Sequence, residues 1–217
     1  MPHALTAPTT TTERVDPRRL LPSVEDVTRC ACGPKYVPRD NVRREIERLL
    51  ETLPGEIEPV FMHVLTPAEC TGDDELALPG GLRVEVRAAA GQEQEDEAPR
   101  DGVVAAAAVL CTVGEVDERL EAMIETDGPL AAWIGQSIAL AQLEVLEKLA
   151  ARSIVGLAAE HGLRPLSFIE PGVGTRSQRD LFAVLGDGPV VLSEHGTMQP
   201  RISYTFWVTS AEAAGQP

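Results

Sequence analysis

One long apolar stretch decides the fold of this chain: residues 130–162 read LAAWIGQSIALAQLEVLEKLAARSIVGLAAEHG. It is rich in small residues and far longer than the other periodic segments. Pro129 stands directly before it, and proline is favoured in the first turn of a helix. Gly162 follows its end, where glycine commonly closes a helix. The stretch therefore predicts one long helix over residues 130–161 that packs in the centre of the domain.

Shorter elements surround this helix. Apolar residues at helical spacing begin at Asp40, so Asp40 or Asn41 is expected to cap a helix there, and Ser177 to cap a later one. The predicted strands are 60–65, 82–88, 103–112, 166–169, 190–192 and 202–209, and the further predicted helices are 40–53, 115–124 and 178–185. These elements do not alternate as βαβ units. They indicate a single α+β domain with a largely antiparallel sheet.

The domain is expected to cover residues 38–210. Residues 1–37 are rich in proline and threonine and cannot bury enough apolar surface to order alone. We therefore expect a flexible or docking N-terminal arm there, and a disordered tail at 211–217.

Acidic residues outnumber basic ones by 34 to 19, a formal net charge of −15 at pH 7. Such a field repels phosphate backbones and anionic headgroups, so we expect no nucleic acid and no membrane as partner. No apolar run reaches the ~18 residues of a transmembrane helix, and residues 1–12 lack the apolar core of a signal peptide. These features predict a cytoplasmic protein.

The four cysteines, Cys30, Cys32, Cys70 and Cys111, predict reduced thiols. Only the first two are close in sequence, and no second pair or histidine lies at metal-ligand spacing, so incidental thiols are favoured over a metal site. The acidic segment 91–102 lacks the spacing of a calcium loop, and we interpret it as a solvated hairpin loop.

A glycine-containing loop, residues 171–175, precedes the predicted helix at 178–185. Gly172 and Gly174 would let backbone N–H groups approach an anion, as in a phosphate cradle. The loop has neither the GxGxxG nor the GKS/T pattern, so the alternative, a tight strand-to-helix turn, is favoured. Arg176 beside it can pair with a carboxylate, sulfate or phosphate.

Two residues are candidates for proton transfer. Glu170 stands at the carboxyl end of a predicted strand, where a carboxylate can act as general base or hold an ammonium group. His195 lies between a glutamate and a glycine, and histidine titrates near neutral pH. The alternative is that both are ordinary loop residues. His63, within a strand, is interpreted as a core residue.

Further candidates lie on the long helix and on the last strand. Glu144 interrupts the apolar helix and either reaches into a pocket or pairs with Lys148 one turn on. Alternation puts Tyr204 and Phe206 on one face of the last strand and Trp207 on the other. These aromatic residues are expected to serve as core and pocket wall.

Several short motifs occur in an order that resembles a known family. They are Thr112-Val113-Gly114, Ile134-Gly135, Pro171-Gly172-Val173-Gly174, Gln178 to Phe182, and Met198-Gln199-Pro200-Arg201-Ile202-Ser203. Over roughly residues 40–209 the chain resembles the activation domain of vitamin B12-dependent methionine synthase and its free-standing bacterial relatives. The resemblance implies a curved antiparallel sheet flanked by helices. It also implies S-adenosylmethionine as cofactor, presented to oxidised cobalamin.

The chain departs from this family at the S-adenosylmethionine loop. The family's Arg-x-x-Pro-Gly-Tyr corresponds to residues 168–173 here, so Phe168 replaces the arginine and Val173 the tyrosine. The loss of a charge-assisted hydrogen bond costs about 1.5–3 kcal/mol, so these two replacements are expected to weaken S-adenosylmethionine binding more than tenfold. Glu170 instead adds a carboxylate that can hold an amine. The chain lacks the DxHxxG segment that binds cobalamin, so a corrinoid role would need a separate corrinoid protein.

Three functional hypotheses follow from these residues. The first is a biosynthetic enzyme without redox cofactor that performs elimination or intramolecular substitution on a small metabolite bearing an amine or an anion, with Glu170 and His195 as catalytic residues. Its expected substrate-binding residues are Arg176, Arg201, Tyr204, Gly172, Gly174 and Glu144. The second is an S-adenosylmethionine-binding accessory protein for a corrinoid methyltransferase. The third is a non-catalytic partner subunit of a heteromeric enzyme.

Overall fold

The computed structural model describes residues 5–53, 57–87 and 102–213. The helices are α1 (Val24–Cys32), α2 (Asp40–Thr52), α3 (Asp117–Thr126), α4 (Pro129–Glu160) and α5 (Arg176–Leu185). The strands are β1 (Thr9–Arg14), β2 (Val60–Pro67), β3 (Glu69–Cys70), β4 (Glu75–Ala77), β5 (Arg83–Glu85), β6 (Val103–Thr112), β7 (Leu163–Ile169), β8 (Val191–Leu192), β9 (Met198–Gln199) and β10 (Ser203–Glu212).

A five-stranded sheet with the order β1-β2-β6-β10-β7 forms the centre of the fold. Every neighbouring pair is antiparallel. The register places Phe61 of β2 opposite Cys111 of β6, and Cys111 opposite Tyr204 of β10. Two small sheets, β3-β4-β5 and β8-β9, lie outside it. The predicted α+β class with an antiparallel sheet and one long helix is confirmed.

The long helix α4 crosses one face of the large sheet. Its residues on that side recur every three or four positions, the spacing of one helix face. They are Ala139, Leu143, Leu146, Ala150, Ile154 and Ala158. A second stripe, including Ala131, Ile134, Ile138 and Ala141, packs with residues of α1, α2 and α3. The helix is apolar on two sides because the sheet covers one and other helices cover the other.

The alanine-rich run that forms β6 is a strand because it lies in the middle of the sheet. Residues 105–108 are fully buried. Alternate residues face α4 on one side and the layer containing α5 and Trp207 on the other. Alanine favours helices over strands in isolation, but tertiary packing overrides this preference. Small side chains here allow both covering layers to approach the sheet closely.

The described part of the predicted N-terminal arm contributes a strand and an α-helix to the fold, with a short 3-10 helix, Pro17–Leu20, between them. Strand β1 pairs with β2 along its whole length. Helix α1 begins with a reciprocal capping box between Ser23 and Asp26. Val27 of α1 is fully buried in the cluster that includes α4 residues. This stretch therefore supplies an edge strand and a covering helix.

The predicted cap of α5 was wrong. The helix begins at Arg176, and the hydroxyl of Thr175 accepts the N–H of Gln178. Ser177 lies buried inside the first turn. An N-cap needs extended backbone angles, which Thr175 has, and spacing alone does not reveal them.

Two further local predictions were wrong. At the start of α2 the N-cap position is Arg39, without a side-chain hydrogen bond, so neither Asp40 nor Asn41 caps this helix. Strand β5 is shorter than the predicted 82–88, and the side chain of Leu82 is 41% exposed. Alternation within one segment indicates which face a side chain takes, but it does not show where the strand ends.

Two other predictions concern residues at the ends of the described ranges. Strand β10 runs to Glu212, into the stretch expected as a tail. The acidic loop predicted at 91–102 lies outside the described residues except for Gly102.

Among the helices the structure describes, none has the length and hydropathy to span a bilayer. All four cysteines are free thiols.

His63 is buried between β2 and α4. It is 1% exposed, its Nε2 lies 3.3 Å from the hydroxyl of Ser153, and its ring stacks on Phe61 at a centroid distance of 6.0 Å. Within the described ranges, its Nδ1 has no hydrogen-bond partner. Burial lowers the pKa of His63 below its ordinary value of 6.5, so the folded protein holds this imidazole neutral.

We predict that His63 weakens the fold at acidic pH. The unfolded chain protonates this residue near pH 6.5, whereas the folded protein does so only at a lower pH. The contribution of His63 to stability is therefore complete above pH 6.5. It is lost as the pH falls from there towards the folded pKa, by at most about 1.4 kcal/mol per pH unit. Thermal unfolding between about pH 7.5 and 5.5 should show a steeper loss for the wild type than for His63→Gln. Parallel curves would contradict the prediction.

Candidate functional site

Acidic and aromatic side chains meet near the β7 edge of the large sheet. Glu147 comes from α4, Glu170 directly follows β7, and Tyr204 and Phe206 come from β10. Phe168 of β7 contacts Phe206. We call Glu147, Glu170, Tyr204, Phe168 and Phe206 the carboxylate–aromatic cluster.

The register of the sheet brings the cluster together. Strand β10 lies between β6 and β7, and Val208 pairs with Phe168. Tyr204 and Phe206 pack with the core on the α4 face, and Trp207 packs on the opposite face, which confirms the predicted alternation. Since β7 is an edge strand, the cluster stays partly open to solvent.

Glu147 is a partly buried acid of the cluster. Burial raises the pKa of its carboxyl above the ordinary value, and the negative charges of Glu170 and Glu144 raise it further. Lys148 opposes this effect, but the net direction of the pKa shift is upward. The carboxyl group of Glu147 therefore lies close enough to those of Glu170 and Glu144 to be repelled by each of them.

Tyr204 connects this acid group to the sheet. It is half-buried, and burial is the main reason that the pKa of its hydroxyl is raised. The charges of Glu147 and Glu170 add to the rise, and the hydroxyl hydrogen-bonds to the Glu170 carboxylate. Tyr204 therefore stays protonated at neutral pH and donates to Glu170.

An aromatic wall stands beside the carboxylates. The rings of Tyr204 and Phe206 lie 5.8 Å apart, and those of Phe206 and Phe168 lie 6.1 Å apart. Phe168 is 47% exposed. A half-exposed phenylalanine next to repelling carboxylates presents an apolar, electron-rich face to any ligand that enters.

Cys111 lies under this cluster in β6. It is fully buried, and burial, with the charge of Glu147, raises the pKa of its thiol. A buried protonated thiol is a poor nucleophile. We therefore assign it to the core.

Glu144 lies one turn before Glu147 on α4 and is held by α1. Arg29 donates to its two carboxylate oxygens at 2.7 and 3.1 Å, and the thiol of Cys30 donates at 3.4 Å. These hydrogen bonds, with that from Arg29 first, lower the pKa of Glu144, while burial and this carboxylate raise the pKa of Cys30 to about 11. Glu144 is thus a fixed anion paired mainly with Arg29, and not only with Lys148 as one sequence interpretation had it.

The glycine loop at 171–175 is a closed turn. The N–H of Gly174 donates to the side-chain oxygen of Gln178 at 2.7 Å, and the hydroxyl of Thr175 donates to the Gly172 carbonyl at 2.6 Å. The N–H of Gly174 is therefore already used. This geometry favours the turn interpretation over the phosphate cradle.

The β8–β9 hairpin packs on this loop. Its tip carries His195 and Gly196, and Gly196 lies so close to Gly174 that a Cβ atom there would overlap the Gly174 backbone. His195 itself is exposed. The hairpin thus brings His195 beside the glycine loop, while the contacts that define the Glu170 site come from Tyr204 and Glu147.

The two candidate arginines lie apart from each other. Arg176 of α5 pairs with Asp180 at 3.3 Å and with Glu75 of β4 at 3.8 Å. Arg201 lines a cleft between α3 and the start of α4. Of the predicted site residues, the structure brings together Glu170 and Tyr204. The negative charge of Glu144 influences the same site because it raises the pKa of Glu147.

Sequence reasoning missed Glu147 and the exposed ring of Phe168. A signal for Glu147 was present, because it follows Glu144 by one helical turn and so lies on a similar side of α4. Nothing local to Phe168 indicated its exposure, which depends on β7 being an edge strand. Within the described ranges, no three histidine, cysteine or acidic side chains come together as a metal site would require.

We predict that Gly196→Ala destabilises the protein by about 1–3 kcal/mol or more, because Gly196 has a positive φ of 79° and its Cβ would overlap Gly174. Gly156→Ala is the control. Gly156 lies within α4 and has nothing within 4 Å of an added Cβ, so alanine there should stabilise by about 0.5–1 kcal/mol. Denaturant unfolding measures both, and equal effects would contradict the proposed close approach.

We predict that Glu147→Gln stabilises the protein at neutral pH. The folded pKa of Glu147 lies above its unfolded value of 4.5, so its stabilising contribution is present below that pH and is lost as the pH rises through the folded pKa. Removing the charge should raise the melting temperature at pH 7 by about 1–2 °C, because partial exposure screens the repulsion. The gain should shrink towards pH 4.5.

Glu160→Gln supplies the matched control, since Glu160 is an exposed glutamate on the same helix. Its melting temperature should follow that of the wild type at both pH values. A Glu147→Gln variant that is no more stable than the wild type at pH 7 would show that the carboxylates do not repel as described.

Comparison with known proteins agrees with this fold. No family model matches the chain, and no curated protein matches its sequence. Among solved structures it is similar to "Crystal Structure of the MetH Reactivation Domain bound to AdoHcy", with a TM-score of 0.64 and 13% sequence identity. The match covers 100% of this chain and 83% of the other. At this identity the comparison shows a shared fold, and it confirms at that level the resemblance to the methionine synthase activation domain.

Proposed function

We propose that this protein binds a small organic cation, an ammonium or sulfonium compound, at the carboxylate–aromatic cluster. The observation that carries this proposal is that the partly buried carboxyl group of Glu147 lies near the carboxylates of Glu170 and Glu144 and beside an aromatic wall; burial and the two negative charges both raise its pKa. A positive charge placed among these groups relieves the repulsion. Relief of this repulsion therefore contributes favourable free energy to the binding of a cation.

The aromatic wall favours an organic cation over a bare ion. Phe168 presents a ring that is 47% exposed, and the rings of Phe206 and Tyr204 continue the wall. A cation over such a face gains about 0.5–1 kcal/mol at an exposed site. The alkyl groups around an ammonium or sulfonium centre also find apolar contact there.

The same group of residues could supply non-redox proton transfer, the basis of elimination or intramolecular substitution. A carboxyl group with a raised pKa exchanges its proton closer to neutral pH than an ordinary glutamate does. In this extension Glu147 is the proton-transfer group, Tyr204 orients Glu170, and Glu170 holds the amine. His195, on the neighbouring hairpin, is a second candidate for proton transfer.

An S-adenosylmethionine-binding accessory protein is the second candidate function. The observation that favours it is the shared fold with a reactivation domain described as bound to AdoHcy. S-adenosylmethionine carries both a sulfonium and an ammonium, so it belongs to the proposed ligand class. Under this proposal the chain would work with a separate corrinoid protein as partner.

Calorimetric titration tests the proposal with two matched ligand pairs: phenylethylamine against phenylethanol, and S-adenosylmethionine against S-adenosylhomocysteine. In each pair the first member carries the additional positive charge. We expect it to bind at least tenfold more tightly. Glu147→Gln and Glu170→Gln should each weaken the cation by about tenfold, because each removes a charged partner. Glu160→Gln should leave affinity unchanged.

Phe168→Arg tests both candidate functions. It places a guanidinium in the cluster, at the position where the family's loop has arginine. If the site selects cations, this variant should bind phenylethylamine more weakly. If the site instead resembles the family's, S-adenosylhomocysteine should bind more tightly, since arginine pairs with carboxylates. Equal affinity for charged and neutral ligands, unaffected by both glutamine variants, would overturn the proposal.

A further inference from the structure

A second cleft lies between α3 and the first turns of α4. Its volume is about 320 Å³, and Arg201 closes one side. We call it the Trp133 cleft. The lining residues used below are Asp117, Glu121, Ile124, Trp133 and Arg201.

The apolar part of the Trp133 cleft is unusually exposed. The side chain of Trp133 is 40% exposed and that of Ile124 is 53% exposed. The other tryptophan of the chain, Trp207, is fully buried. A large indole left open in a concave surface, beside a second apolar side chain, is typical of a ligand or interaction site.

Opposite charges line the same cleft without pairing. Arg201 is exposed, and among the described residues it forms no ion pair. Asp117 and Glu121 lie one turn apart on α3, and within the same described ranges neither has a cationic partner. Neighbouring carboxylates one turn apart repel each other. The cleft therefore holds a positive group and a negative pair that are separated from each other.

We propose that the Trp133 cleft binds a free amino acid with an apolar side chain. The carboxylate of the ligand pairs with Arg201, as arginine favours carboxylate partners. Its ammonium lies near Asp117 and Glu121, and its side chain covers Trp133 and Ile124. A cleft of about 320 Å³ is at the lower end of small-ligand sites, which suits a molecule of this size.

This site is independent of the proposed function. Trp133 and Glu147 lie on the same helix, and the 1.5 Å rise per residue of a helix separates them by about 21 Å. No residue of the carboxylate–aromatic cluster lines the Trp133 cleft. Each site can therefore be lost while the other remains.

Tryptophan fluorescence reports on the cleft directly. Because Trp207 is fully buried, a ligand at Trp133 changes the emission of the exposed indole. The probes are L-leucine, L-leucinamide, which lacks the carboxylate, and N-acetyl-L-leucine, which lacks the ammonium. We expect L-leucine to bind at least tenfold more tightly than either derivative, and Trp133→Phe to lose the emission change.

Two variants test whether Arg201 binds the carboxylate of the ligand and Asp117 its ammonium. Arg201→Gln should remove the preference for L-leucine over leucinamide, and Asp117→Asn should reduce its preference over N-acetyl-leucine. Arg152→Gln, at an exposed arginine further along α4, should bind as the wild type does. Circular dichroism of each variant shows whether it is folded.

Three outcomes would overturn the inference: no response to millimolar L-leucine, equal responses to all three probes, or a preference that survives Arg201→Gln. Titration of Glu147→Gln with L-leucine keeps this test separate from the proposed function. That variant should retain leucine binding even if it loses cation binding.

Discussion

The structure depends on the contact between α4 and the middle of the large sheet. Small residues of the helix, such as Ala139 and Ala150, face the buried alanine-rich run of β6. Because the alanines on both surfaces are small, helix and sheet approach closely where they meet, and larger side chains such as Leu146 fill the remaining space and add dispersion contacts. The other side of α4 then supports α1, α2 and α3. Without this contact, those helices would have no common surface to cover.

The same contact accounts for the position of the carboxylate–aromatic cluster. Where α4 passes the β7 edge of the sheet, Glu144 and Glu147 flank the buried stripe, which continues through Leu146 and Ala150. There β10 and β7 present Tyr204 and Phe168. The cluster gathers like charges beside apolar rings, an arrangement that weakens the fold at neutral pH. Proteins commonly tolerate such a loss where a ligand supplies the missing charge.

Periodicity predicted most elements of the fold, and it did so for local reasons. The bounds of α4 agree closely with the apolar stretch quoted first, because Pro129 fixes φ in the first turn and Gly162 can adopt the positive φ of 72° that follows the end of the helix. Helix caps were predicted less well. Thr175 and Ser177 are chemically similar, and only the backbone angles decide which of them caps α5. Strand ends were similarly uncertain, since they depend on where the neighbouring strand stops.

The sequence by itself determined the α+β class, the central helix, the alternation of Tyr204, Phe206 and Trp207, and the candidacy of Glu170. Each of these follows from spacing within one segment. Only the tertiary structure decided that Glu170 meets Tyr204 and Glu147, and that Glu144 pairs with Arg29. These partners lie far apart along the chain, and their encounter depends on strand order and on the path of α4. The pKa of a carboxyl group depends on its burial and its neighbours, so tertiary structure also decided which acid has its charge disfavoured.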